Sequence, residues 1–246
     1  MNKEMDENIG DIYHAETKYH RDYRDSNTGT LSKMAEPYKT YPGAKIISLP
    51  EPDLSSGSSI WEVMSQRRSI RKYASEDASM EELSMLLWAT QGISATIGRH
   101  ELRVSPSAGA LYPIETYIQV NRVKEIEPGV YHYAVVNHKL EQVKKGDFGE
   151  KIAHAALGQV MMRDSAFNFV WTGIVARSKW KYLERAYRYI YMDAGHICQN
   201  AYLAAEALGM GCCGIGAFFD SEVEEIIGVD GEEEIVVYMC SIGKKE

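Results

Sequence analysis

The stretch from about Arg185 to Leu208, closed by Gly209, constrains the fold of this chain more than any other part of it. Ile190, Ala194, Ile197, Ala201 and Leu208 recur mostly at three- and four-residue steps, the period of one helix face. A helix of that span is roughly 35 Å long at 1.5 Å per residue, enough to cross a whole domain. Gly209 stands where helices commonly stop in a left-handed turn. The chain then runs Gly209-Met-Gly-Cys-Cys-Gly-Ile-Gly216, which reads as a glycine-rich strand. Gly209 to Gly214 spells G-x-G-x-x-G, but a dinucleotide fingerprint needs a strand before it and a helix after it. Here the order is reversed, so no helix N-terminus stands ready for a pyrophosphate. The glycines read instead as a helix stop and a strand that something approaches closely.

The remaining elements are arranged around that helix. Ser58 or Ser59 caps a short helix, Ile60–Arg67. Ser79 with Glu82 forms a capping box for a helix of about Met80–Ile93. Ile114–Val120 alternates as a strand does, Gly129–Val136 and Lys139–Val143 suit a hairpin, and Phe167–Ala176 is a strand apolar on both faces. Cys212–Phe218 and Glu234–Ser241 are strands, with a helix between them capped by Asp220 or Ser221. Strands cluster in the middle and at the end instead of alternating with helices. That order predicts an α+β sandwich, helices over a mostly antiparallel sheet. Residues 1–58 are rich in Tyr, Lys, Asp and Ser and lack a clear apolar period. They predict an extended N-terminal arm that packs on the body, 59–246, or on a partner subunit.

Composition narrows the function classes. The formal net charge of −8 argues against a general nucleic-acid binder. No apolar run reaches the roughly 20 residues of a membrane span, and the polar, acidic start is unlike a signal peptide, so a cytoplasmic protein is expected. Cys198, Cys212, Cys213 and Cys240 have neither a disulfide framework's spacing nor a C-x-x-C, and suit reduced, buried thiols. The histidines form no metal-ligand spacing, so no metal is expected.

Against that acidic background, Arg67-Arg68-Ser69-Ile70-Arg71-Lys72-Tyr73 concentrates cations. It is either a solvated basic turn or one wall of a phosphate pocket, since guanidinium forks suit phosphate oxygens. Pro106-Ser107-Ala108-Gly109 and Gly214-Ile215-Gly216 likewise offer backbone with little side-chain bulk. Together the three segments could cradle a flat, anionic cofactor.

These blocks, in this order, resemble the FMN-dependent nitroreductase superfamily, and more narrowly the SagB-type dehydrogenases. The Pro-Ser-Ala-Gly segment, Lys181-Tyr182, Arg185-Ala-Tyr-Arg-Tyr189 and Ala194-Gly-His-Ile-Cys-Gln-Asn200 carry the narrower likeness over about residues 58–246. The resemblance implies a three-layer α/β/α sandwich in an intertwined homodimer, with FMN at the subunit interface. It implies an oxidoreductase exchanging hydride through flavin N5. Arg67, Arg68, Ser69 and Arg71 would bind FMN, the first two at the phosphate and ribityl chain and Arg71 near the pyrimidine edge. Pro106, Ser107, Ala108 and Gly109 would line the ring, and Gly214, Ile215 and Gly216 would lie near N5. Lys181 and Tyr182 would handle the proton by that resemblance; read from the residues alone, Trp180-Lys-Tyr-Leu-Glu-Arg is better taken as an exposed helix turn, with Lys181 and Arg185 as like charges one turn apart. His196, Gln199 and Asn200 suit a polar interface, and Lys72 carries no role. The Asn-x-Gln-Pro segment of ordinary nitroreductases is absent, and only Lys244 or Lys245 is left to contact phosphate after the last strand. A stand-alone NAD(P)H-dependent nitro or quinone reductase and a flavin-binding partner subunit remain alternatives, and the substrate is a small molecule or a peptide.

Overall fold

The computed structural model describes residues 9–19, 35–55, 58–98 and 100–246. In chain order the elements are α1 (Ile9–Glu16), β1 (Ile46–Ser48), α2 (Ile60–Gln66), α3 (Met80–Gln91), β2 (Ile93–Ile97), β3 (His100–Arg103), β4 (Ile114–Val120), β5 (Gly129–Ala134) and β6 (Lys139–Lys145). They continue with α4 (Gly149–Ala155), α5 (Met161–Asp164), β7 (Phe167–Ile174), α6 (Ala176–Tyr182), α7 (Ala186–Ala207), β8 (Met210–Ile215), α8 (Asp220–Ile227) and β9 (Glu234–Lys244). Seven strands form one sheet in the order β1-β6-β5-β4-β7-β9-β8, every neighbouring pair antiparallel. β2 and β3 make a separate hairpin.

β7 shows why the sheet is covered on both sides. Its side chains alternate across the pleat. Phe167, Phe169 and Trp171 point into a core built with Leu83, Leu86 and Leu87 of α3 and Ile190, Ala194 and Ile197 of α7. Val170 points into the other, with Ile152 of α4, Met161 and Met162 of α5, and Val223 and Ile227 of α8. Both faces of an antiparallel sheet are thus buried under helices, the predicted three-layer α+β sandwich. Each fully buried aromatic or aliphatic side chain contributes roughly 1.5–3 kcal/mol, so β7 is the structural spine.

Local signals act as the sequence predicts in most places. Ser79 Oγ accepts from the Glu82 amide at 3.2 Å while Glu82 Oε2 accepts from the Ser79 amide at 2.9 Å, the reciprocal capping box. Ser59 caps α2. Gly209 ends α7 at φ 71°. Other boundaries differ. Phe219, not Asp220 or Ser221, occupies the N-cap position of α8, with no side-chain cap; Val223, Ile226 and Ile227 hold the helix by burial. β8 stops at Ile215, where its pairing with β9 runs out at Met239. The region expected to be an extended arm contains α1, and also β1, which adds an edge strand beside β6. Burying Leu49 and pairing Ile46–Ser48 fixes that part of the arm on the body.

Candidate functional site

The Arg67–Tyr73 run leaves α2 and lies along the outer edge of β8. Ser69 bridges Cys212, and the Ile70 amide donates to the Cys212 carbonyl at 3.0 Å. This close approach explains Gly211: a Cβ there would sit 2.7 Å from Ile70 Cγ2. Tyr73 is buried, and its hydroxyl reaches Ser241 Oγ at 2.8 Å. Behind the run stands Tyr202 of α7, which the sequence reading did not single out. Its hydroxyl accepts from the Gly214 amide at 2.6 Å and meets Ser69 Oγ at 3.0 Å, and the Arg67 guanidinium stacks 5.0 Å from its ring centroid. Gly214 is needed for packing, because a Cβ would fall 2.7 Å from Tyr238 Oη and 3.1 Å from Cys198 Sγ. With the Gly214 amide taken by Tyr202, Gly216 is the exposed residue of this block.

None of Arg67, Arg68 and Arg71 forms an ion pair among the described residues. Among the described residues, Arg68 donates to the carbonyls of Ser65 and Arg67. Burial pushes the Cys213 thiol up, and the Arg71 charge partly offsets it. Cys212 and Cys213 themselves are buried and packed, as expected. Lys72 is exposed. Lys244 and Lys245, the candidates for a later phosphate contact, are committed elsewhere, to Glu82 and to Glu206 at 2.8 Å.

The second cluster gathers Pro106–Gly109 with Lys181 and Tyr182, which lie far apart in sequence. Asp193 of α7 pins the loop: Ser107 Oγ donates to Asp193 Oδ2 at 2.6 Å and the Ala108 amide to Oδ1 at 3.3 Å. Burial pushes the Asp193 carboxyl up, with the two hydrogen bonds offsetting it in part. Asn200 donates to Ser105 Oγ at 2.9 Å and to the Ala89 carbonyl at 3.0 Å, tying the loop to α3. Its role is thus holding the loop; His196 and Gln199 are exposed. Gly109 has φ 64°, and a Cβ on it would lie 2.5 Å from the Tyr182 hydroxyl and 2.8 Å from Lys181 Nζ. Left-handed backbone is concentrated here: Ala110 (φ 54°), Tyr112 (φ 47°) and Leu183 (φ 50°) also adopt it. Such residues cost about 1–2 kcal/mol each and cluster where function over-determines the geometry.

The two clusters do not form one cradle within the chain. Asp193 and Tyr202 are nine residues apart on α7, two and a half turns at 3.6 residues per turn. They therefore lie about 14 Å apart along the axis and on opposite sides of the helix. The cationic run is on one side, the Gly109–Lys181–Tyr182 group on the other.

The sequence profile of the nitroreductase family matches residues 64–244. The chain belongs to the nitroreductase family. Over 184 residues it is 34% identical to the nitroreductase-named protein MJ1384 of Methanocaldococcus jannaschii, covering 75% of this chain and 90% of that one. It is 35% identical over 138 residues to the trifolitoxin-processing protein TfxB of Rhizobium leguminosarum bv. trifolii, covering 54% of this chain and 37% of TfxB. Among solved structures, a nitroreductase-named protein of Anabaena variabilis ATCC 29413 superposes with a TM-score of 0.76 at 29% identity, over 96% of this chain and 47% of its own. The chain thus spans less than half the length of TfxB and of the Anabaena protein. Among the described residues, no group of His, Cys, Asp and Glu could hold a metal, and no helix is long and apolar enough to cross a membrane.

Proposed function

We propose that this nitroreductase-family chain is an FMN-dependent oxidoreductase of the SagB-type branch that works as a homodimer. The observation that carries the reading is the trio Arg67, Arg68 and Arg71. Three guanidiniums without carboxylate partners among the described residues, on a chain of net charge −8, suit an anion. The residues fit FMN in kind: guanidiniums suit its phosphate, and the backbone amide of the exposed residue Gly216 suits a ring acceptor. Bound FMN would supply two-electron exchange at its ring.

This chain's own residues would do the rest. Arg67, held against Tyr202, and Arg68 anchor the anionic tail. Arg71 sets a positive charge beside the ring edge. Ser69 and Gly214, joined through the Tyr202 hydroxyl, hold that wall in register. Lys181 and Tyr182 hold or move a proton at Nζ and at the phenolic oxygen. Because the two clusters face opposite sides of α7, one copy completes neither site alone. A twofold partner would bring the cationic wall of one subunit against the Gly109–Lys181–Tyr182 group of the other.

A visible spectrum of the purified protein, followed by anaerobic titration with NADH and NADPH, tests this. The expected result is a yellow dimer whose absorbance bleaches on reduction. A colourless protein that cannot be reconstituted with FMN refutes the reading. Lys181→Met and Tyr182→Phe should slow turnover by roughly 10²-fold or more, the ordinary contribution of proton transfer, while flavin content stays intact. The likeness to a toxin-processing protein favours a peptide substrate over a nitro or quinone compound.

A further inference from the structure

Beside Gly109 and Lys181, a cavity of about 470 Å³ opens between the β2–β3 hairpin, the Pro106–Tyr112 loop, α6 and the segment around Tyr38. Its chemistry is lopsided. Arg103 at its wall is only 6% exposed and forms no ion pair among the described residues. Its side-chain hydrogen bonds all leave from Nη1, to Gln91 Oε1 at 3.1 Å and the Ile114 carbonyl at 3.4 Å. The guanidinium is flanked by aromatic rings, 4.9 Å from the Tyr112 centroid and 5.8 Å from that of Tyr38. A buried charge without a counter-ion is costly, so a second group normally supplies compensation.

The neighbouring acids supply it only in part. Glu115 is already engaged by Arg177 at 2.5 Å and by His132 at 3.0 Å. Glu101 takes the Tyr38 hydroxyl. Burial pushes the Arg103 guanidinium down, with the Glu115 charge only partly opposing it. Lys181, at the mouth, has no ion pair among the described residues either. Trp180 also lines the cavity, and its indole N–H is buried without a hydrogen-bond partner among the described residues.

We propose that this cavity is a substrate subsite for a carboxylate, with Arg103 as the specificity-determining residue. The flat rings of Tyr38, Tyr112 and Trp180 suit a planar or extended body behind that carboxylate. The group could end a peptide or belong to a small aromatic acid; the chemistry recognised is the same. The cavity adjoins Gly109 and Lys181, so a substrate gripped there would present its remainder to the proposed proton-transfer pair. The inference rests on the oxidoreductase reading for what happens next, though not for binding itself.

The test is calorimetric titration of the purified protein with two matched pairs: benzoate against benzamide, and N-acetyl-Gly-Phe against its C-terminal amide. In at least one pair the acid should bind at least tenfold tighter than the amide, as a charge-assisted hydrogen bond to a buried guanidinium predicts. The winning pair names the source. Arg103→Gln should abolish the preference. Equal binding of acid and amide in both pairs, or a preference that survives Arg103→Gln, overturns the proposal. If Arg103→Gln does not fold, Lys181→Gln, an exposed position, should cut acid binding severalfold and leave amide binding unchanged; no change in either refutes it. Flavin absorbance read on the same samples separates the two ideas. A colourless protein that cannot be reconstituted with FMN and still prefers acids refutes the oxidoreductase reading alone, and a yellow, reducible one with no preference refutes the subsite alone.

Discussion

Gly109→Ala separates backbone strain from positioning at the proposed proton-transfer pair. Gly109 has φ 64°, where a residue with a Cβ pays about 1–2 kcal/mol. For a domain of this size, that corresponds to a fall in Tm of roughly 2–8 °C. The new methyl would also lie 2.5 Å from the Tyr182 hydroxyl and 2.8 Å from Lys181 Nζ. Both atoms are far ends of flexible side chains, so moving them by about 1 Å to van der Waals distance costs little stability. It should cost activity heavily, because a 1 Å misplacement can lose on the order of 10²-fold in rate. Thermal unfolding by circular dichroism, flavin absorbance and steady-state turnover would be measured on the same sample. Gly109→Asn serves as the companion, since Asn tolerates the left-handed region better but still carries a Cβ. It should recover part of the Tm and none of the rate. Full activity in Gly109→Ala would refute the placement of Lys181 and Tyr182 at the reacting centre.

Other consequences can be checked as directly. Arg71→Ala should weaken FMN binding by roughly tenfold or more, read by fluorescence of released flavin; unchanged affinity removes Arg71 from the site. Tyr202→Phe leaves the Gly214 amide without its acceptor and Ser69 without its neighbour, a loss of about 1–3 kcal/mol, seen as a lower Tm together with weaker flavin retention. An unchanged Tm and flavin content would show that Tyr202 does not organise that wall. Burial opposes the charge on Glu115, but the His132 hydrogen bond and the Arg177 charge outweigh it and hold its pKa at about 2, against an ordinary 4.5. A depressed carboxyl stabilises the fold above its unfolded value, so this contribution should be present above about pH 4.5 and vanish as pH falls towards 2. Glu115→Gln should unfold more readily at neutral pH and lose that acid-side slope, measured as Tm against pH; a slope identical to wild type would refute it.

How much of this was legible in the sequence follows from the range of each signal. Capping at Ser79 and Glu82, the stop at Gly209 and the alternation of Ile114–Val120 are encoded within a few residues, and the structure reproduces them. The β2–β3 hairpin leaves little mark in the sequence, because its strands are short, mixed in polarity and largely exposed and its pairing shifts register between Ile93 and Ala95. α4 is short and has no side-chain cap, so its burial beneath the sheet leaves no local mark. At the site, the arginine run and the Pro106–Gly109 loop were readable as motifs. Their support was not. Asp193 meets Ser107 across 86 positions and Tyr202 meets Ser69 across 133, and only the fold brings such pairs together. The buried chain Arg177–Glu115–His132–Glu141 was invisible for the same reason: its members sit on one helix and three strands. One expectation also changed in form. The three segments read as a single cradle lie on two sides of one helix.

The path of the arginine run along β8 has a consequence of its own. β8 ends the sheet, and an uncovered end strand offers its amides and carbonyls to any passing chain. Ser69 and Ile70 occupy that edge through contacts to Cys212. One short run therefore holds both the proposed grip on the ligand, through Arg67, Arg68 and Arg71, and the guard of the sheet, through Ser69 and Ile70. A substitution that loosens them would expose Met210–Ile215 to self-association as it weakens the grip. Solubility and ligand affinity are wired to one short piece of chain, and selection or engineering acting on either will be felt in both.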